Sequence, residues 1–178
     1  MKTETPEHFG YCRTFLVDDL PGQMTPADPH LQIFDNYIEN TMIRLREVRD
    51  PKTKLWERCL EKRIVSEDPV FRFRRISSIE LDETEYGLFR SFKGREIRKN
   101  RYFYDEGDLN LKIDIFLGKL WGLSIARVDF RSIDAVRGFT PVEYLGIETT
   151  QNRFFDGENL VSCEFSDVQR EYRKMAGD

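Results

Sequence analysis

The stretch from Thr41 to Ile64, TMIRLREVRDPKTKLWERCLEKRI, constrains the fold more than any other part of the chain. Apolar and charged residues alternate on both sides of a central DPKTK. A period of two belongs to strands, and a proline near the start of the reversal suits a turn, so the stretch reads as a β-hairpin. Alternation puts Arg44 and Arg46 on one face of its first strand. On the second strand it groups Trp56, Arg58, Leu60 and Lys62. A strand face that would ordinarily fill a core is lined with cations, and the fold must supply something for that face to meet.

The pattern recurs along the chain. Strands are expected over 11–17, 31–39, 41–49, 55–65, 70–81, 95–105, 109–117 and 123–130, separated by glycine, proline and short polar turns. A helix is expected over 82–93, with Asp82 as its cap, Glu85 completing a capping box and Gly94 ending it. A second is expected over 132–138 behind Ser132, and a third in the charged tail from residue 165. So many long strands favour a structure that leaves no edge exposed. The expected fold is α+β: an eight-stranded antiparallel closed β-barrel enclosing a tunnel, with flanking helices, as one domain over residues 1–178.

The cations of these strands fall on shared faces. Arg72 and Arg74 share one, as do Lys99 and Arg101. Lys112 lies with Asp114, and Arg127 with Asp129. Two readings follow. The cations form a solvated outer face, or they line a wet interior. A surface sheet interleaves both signs, because like charges opposite one another destabilise it. Here the acids fall mostly in turns, helices and the tail. A cationic interior is costly when empty and favours a polyanion.

Composition excludes several classes. A formal net charge of −4 argues against bulk attraction to nucleic acid or an anionic membrane surface. No apolar run approaches the roughly 18 residues of a membrane span. The first residues, MKTETPEHFGYCRTFLVDD, lack the apolar core of a signal peptide, so a cytoplasmic location is expected. Three cysteines far apart, Cys12, Cys59 and Cys163, imply no disulfide framework. His8 and His30 have no partner at ligand spacing, and LGKLWG lacks the spacing of a phosphate-binding glycine loop.

Several motifs, taken in order, resemble the CYTH family, the triphosphate tunnel metalloenzymes. FLVDDL is similar to the end of that family's opening strand, and QIFDNYIEN to the strand that follows. MIRLREVRD resembles its R-x-R strand, pointing to Arg44 and Arg46. CLEKR resembles its T-x-K strand, pointing to Lys62, and IRKNRYFY its K-x-R strand, pointing to Lys99 and Arg101. LKIDIFLGKLWGL resembles its acidic hairpin, pointing to Asp114, and LGIETTQNRFFDGENL its closing segment. The resemblance implies a barrel around a charged tunnel that acts on triphosphates, or cyclises ATP, with Mg or Mn.

The departures from the family pattern run in one direction. The opening Glu-x-Glu-x-Lys becomes Gly10, Cys12 and Thr14; acids of a later strand become Arg72 and Arg74; Glu-x-Glu becomes Arg127 and Asp129. Divalent ions of this kind want carboxylate oxygens, and only Asp114 and Asp129 remain as weak metal candidates. The expected function is therefore binding of a phosphorylated small molecule (triphosphate, polyphosphate or nucleotide) by Arg44, Arg46, Arg58, Lys62, Arg72, Arg74, Lys99, Arg101, Lys112 and Arg127. No cofactor is required for binding, Mg or Mn serves only if the protein is catalytic, and hydrolysis is weak or absent. One alternative is an active metal-dependent triphosphatase or adenylate-cyclase-like enzyme drawing on Asp114, Asp129, Glu143 or Glu148. Another is an RNA- or protein-interaction module built on VFRFRR and RKNRYFY, where alternation separates the aromatics from most of the cations.

Overall fold

Alternation and turn chemistry cut the chain into eight strands. In the computed structural model, which describes residues 7–18, 20–22, 24–67, 72–106 and 109–177, they are β1 (Glu7–Leu16), β2 (His30–Ile38), β3 (Ile43–Arg49) and β4 (Trp56–Glu67), then β5 (Arg72–Glu80), β6 (Gly94–Glu106), β7 (Leu109–Phe116) and β8 (Ser124–Phe130). Residues 7–10, 64–67, 72–75, 106 and 109 are described by their backbone alone. All pairings are antiparallel, in the order β1-β5-β4-β3-β2-β6-β7-β8. β1 pairs with β5 from Glu7↔Ser77 to Cys12↔Arg72, and with β8 from Tyr11↔Phe130 to Leu16↔Ile125. The strand order thus returns to its start through the β8–β1 ladder.

The helices follow their caps. Asp82 accepts from the Glu85 N–H while the Glu85 side chain accepts from the Asp82 N–H, a complete capping box before α1 (Glu83–Phe89). Ser132 accepts from the Ala135 N–H at the start of α2 (Ile133–Gly138). α3 (Gly157–Leu160) is a single turn, and α4 (Phe165–Ala176) ends at Gly177 with φ +86°.

The expected helix-clad barrel is corrected here. The protein is an eight-stranded antiparallel sheet with few flanking helices. α1 covers only the patch around Leu45 and Leu60, and α2 touches β1 and β8. Ile79 stays exposed on the outer face, and so does Trp56. Around β4 and β5 that face mixes apolar residues with ion pairs such as Arg58–Glu47 and is only partly covered, whereas over β1, β7 and β8 it is buried under α2 and the closing segment.

Burial concentrates in two places. Phe15, Leu111, Ile113, Ala126 and Val128 from β1, β7 and β8 pack beneath Leu145 of the closing segment. Leu16, Ile97, Phe116, Leu120 and Leu123 meet Phe155 and Leu160, with Val168 of α4 behind them. This second cluster lies where α3 is packed against the inner side of the sheet. Gly157 sits so near Tyr37 that a Cβ there would collide with the phenol ring, which is why the chain carries glycine at this approach.

Candidate functional site

Register decides which side chains share a face. The β3–β4 ladder opposes Arg44 to Glu61, Arg46 to Cys59 and Glu47 to Arg58. Arg44 and Arg46 therefore share the inner face with Glu57, Glu61 and Arg63, while Arg58 and Lys62 lie on the outer face with Leu45 and Leu60. This corrects the sequence assignment of Arg58 and Lys62 to the site. Arg58 pairs with Glu47 at 2.8 Å and packs over the rings of Trp56 and Tyr86, and Lys62 is exposed. The physical reason is the reversal between Arg49 and Trp56, which pairs even positions of β3 with odd positions of β4.

The inner face encloses a cavity of about 770 Å³. Arg44, Arg46, Arg63, Lys99, Arg101 and Lys112 line it, together with Arg127 and Arg131. Six of the ten expected ligand residues are thus brought together: Arg44, Arg46, Lys99, Arg101, Lys112 and Arg127. Arg72 and Arg74 fall on β5 where the side chains lie outside the described residues. Arg63 and Arg131 were missed. Arg63 Nε is buried without a hydrogen-bond partner among the described residues, and its Nη1 lies 3.6 Å from Glu158 Oε2.

The interior is not the bank of unopposed cations that the sequence suggested. Asp35, fully buried on β2, accepts from Arg46 Nε at 2.6 Å and Nη2 at 2.9 Å, and from Arg44 Nη1 at 3.3 Å. Lys99 Nζ stands 3.8 Å from it. Glu61 accepts from Arg44 Nε at 2.6 Å and also pairs with Arg44 Nη2. Asp114 accepts from Lys99 Nζ at 2.7 Å and from Arg101 Nε and Nη2 at 2.7 and 2.9 Å. Asp129 accepts from Arg127 Nε at 2.6 Å and pairs with Lys112 Nζ at 3.1 Å. These four carboxylates oppose the six cations that they touch.

Burial and charge compete over each group. Desolvation by itself would raise the pKa of Asp35, but Arg44 and Arg46 prevail and hold it far below the carboxylate range. Asp114 is held far down in the same way by Arg101 and Lys99, and Asp129, less strongly, by Arg127 and Lys112. Burial would also raise Glu61, and Arg46 and Arg44 bring it down to about 2. Lys99 is pushed down to about 8 by burial, with Asp114 pulling upward and Arg101 adding to the depression. The carboxylates keep the guanidinium groups ordered; the price is that a ligand meets cations already engaged.

Asp35 and Glu61 were legible in part. Asp35 shares a strand face with Ile33 and Tyr37. Opposing Arg44 to Glu61 and Arg58 to Glu47 satisfies charge across the hairpin, a signal that would have fixed the β4 register. Thr14, at the last opening-motif position, also lines the cavity, and its hydroxyl accepts from that of Thr149 at 3.1 Å.

Comparison with known proteins sets this site in context. No family model matches the chain. An inorganic triphosphatase from Nitrosomonas europaea is 32% identical over 90 residues, an alignment spanning 49% of this chain and 60% of that protein. The chain thus aligns with less than two thirds of that curated relative. A crystal structure of the inorganic triphosphatase NE1496 superposes with a TM-score of 0.59 at 22% identity, covering 86% of this chain and 95% of the other. A putative adenylate cyclase from Bacillus halodurans gives a TM-score of 0.50 at 11% identity over 75% of this chain and 86% of that one. At such identities these structures establish a shared fold.

Proposed function

We propose that the chain is a member of the CYTH-like triphosphate tunnel family, whose motifs it resembles and whose fold it shares, that its cavity binds a triphosphate-like polyanion without a divalent metal, and that hydrolysis is weak or absent. The observation that carries this reading is the convergence of cations from β3, β4, β6, β7 and β8 on one cavity. Guanidinium forks meet phosphate oxygens through paired N–H donors, and a volume of about 770 Å³ suits a small-molecule ligand. Arg44 and Arg46 would grip from β3, Arg101 from β6, and Lys112 with Arg127 from β7 and β8. Arg63, with its partnerless Nε, adds a donor from β4.

The donors present do not fit the metal that the family implies. Among the described residues no group of three or more His, Cys, Asp or Glu is placed to hold an ion. Leu111 opposes Val128 and Asp114 opposes Ile125, so Asp114 and Asp129 stand four residues apart, about 13 Å along the strands. Each is already bound by two cations. The inner positions of β1 carry Cys12 and Thr14 where a carboxylate would be needed. Similarity to an inorganic triphosphatase makes hydrolysis the competing outcome.

Tripolyphosphate titrated into the protein by calorimetry, once with EDTA and once with Mg²⁺, while free phosphate is assayed, separates the readings. Binding in EDTA without release is expected. Release that depends on Mg²⁺ would replace the binder with a metal-dependent triphosphatase. Absence of binding in both conditions would remove the cavity as a polyanion site.

A further inference from the structure

The four carboxylates that pair with these six cations are not equivalent. The Asp35 and Glu61 side chains are 1% and 5% exposed and are locked beneath Arg44 and Arg46. Asp129 is 31% exposed and faces the cavity. Its two oxygens are divided between two cations, Oδ1 on Arg127 Nε and Oδ2 on Lys112 Nζ. Lys112 and Arg127 are direct cross-strand partners, a like-charge pair that repels unless an anion bridges it. The carboxylate thus occupies the place where two oxygens of a phosphoryl group would sit, with the same charge sign and a similar spread of acceptors.

We propose that Asp129 is a specificity-determining residue that competes internally for the phosphate position, setting how much negative charge a ligand must carry to bind. This rests on the polyanion reading of the cavity. A phosphate that reaches Lys112 and Arg127 must move the Asp129 side chain aside, and its partial exposure gives it room to move. A ligand with one phosphoryl group replaces one anion with another and gains little. A ligand with several reaches Arg101 and Arg46 as well, and those further contacts outweigh the displaced carboxylate. The site is therefore selective for long, highly charged chains because it already contains its own short anion.

The test titrates orthophosphate, pyrophosphate and tripolyphosphate in EDTA into the wild type, Asp129→Asn, Asp129→Ser and Arg127→Ala, with melting curves to establish that each is folded. Asp129→Asn and Asp129→Ser are expected to bind orthophosphate and pyrophosphate about tenfold more tightly, with a smaller gain for tripolyphosphate, so that selectivity narrows. Weaker or unchanged affinity for all three ligands in both folded variants overturns the proposal: Asp129 would then only orient Lys112 and Arg127. If the wild type binds tripolyphosphate and Arg127→Ala loses it, the functional reading stands whatever Asp129 does. Failure of every variant to bind any of the three overturns both.

Discussion

The two faces of the β3–β4 hairpin carry the same kinds of ion pair in opposite surroundings. Inside, Arg46 and Asp35 meet with side chains 7% and 1% exposed, and Asp35 is shared among three cations. Outside, Arg58 and Glu47 meet at a similar distance with side chains 19% and 18% exposed, beside Trp56. The geometry is alike; water is what differs. Inside, removal of one partner strands a charge that solvent does not reach. Outside, partial exposure lets solvent take over part of the lost contact. A pair's distance therefore says little about its worth until its burial is known.

The largest break in this comparison is Asp35→Ala. It leaves Arg44 and Arg46 buried with one carboxylate fewer, and a loss of about 3–5 kcal/mol is expected in denaturant unfolding. Arg101→Ala belongs to the same class because it leaves the buried Asp114 with Lys99 as its remaining ion-pair partner among the described residues. In an interior of unopposed cations, Arg44→Ala or Arg101→Ala would leave the fold intact or relieve repulsion. The ion pairs reverse that expectation: both should weaken tripolyphosphate binding and destabilise the protein.

Acid sharpens the same contrast. Glu61 is lowered from 4.5 to about 2, so its contribution to stability is complete above pH 4.5 and is lost as pH falls toward 2, together with those of Asp35 and Asp114 below the carboxylate range. Melting temperature should therefore fall steeply below pH 4.5, and a fall no steeper than that of a chain with ordinary carboxylates would contradict the network. Lys99 works in the other direction. Its folded pKa of about 8 lies below 10.5, so the protonated form costs stability below pH 8, and that cost fades between 8 and 10.5. Over the same interval tripolyphosphate affinity should drop as the ammonium is neutralised, which calorimetry at pH 7 and pH 9.5 would read.

Gly157→Ala tests the end of the cavity rather than its charges. The added methyl must push Tyr37 away, and Tyr37 accepts from Arg44 Nη1 at 3.4 Å. A loss of about 1–3 kcal/mol is expected, with weaker tripolyphosphate binding. The smallest effects belong to the outer face. Arg58→Ala should cost no more than about 1 kcal/mol, and Arg58→Ala and Lys62→Ala should leave ligand affinity unchanged. A clear loss of affinity in Lys62→Ala would mean that β4 presents its other face to the ligand.

Much of the local structure was written in local signals. Asp82 with Glu85, and Ser132, announced their helices, and Arg44, Arg46, Lys99 and Arg101 could be placed on strand faces by alternation. What alternation lacks is the sign of each face. That depends on which residue of β4 lies opposite Arg44, and pairing is settled by the turn and by contacts across strands. Arg58 and Lys62 went to the wrong side, and Arg63 escaped notice, for that single reason. Asp35 and Glu61 were overlooked because an acid among apolar neighbours looks like a solvated strand residue until its arginine partners are seen.

The position of β1 between β5 and β8 also has a consequence for how the protein comes to be made. Tyr11 finds Phe130 across most of the chain, and its other neighbour Phe73 is likewise distant in sequence. At ribosomal speeds of about 5–20 residues per second, β1 waits roughly 6–24 seconds for the far strand to be synthesised. Through that interval its backbone donors and acceptors stand open to any other strand that passes. From the moment β1 is made, the nascent chain thus carries a sticky edge that only the later synthesis of β8 can cover, and slow translation or crowding should tell first in aggregation, well before the finished protein shows any instability.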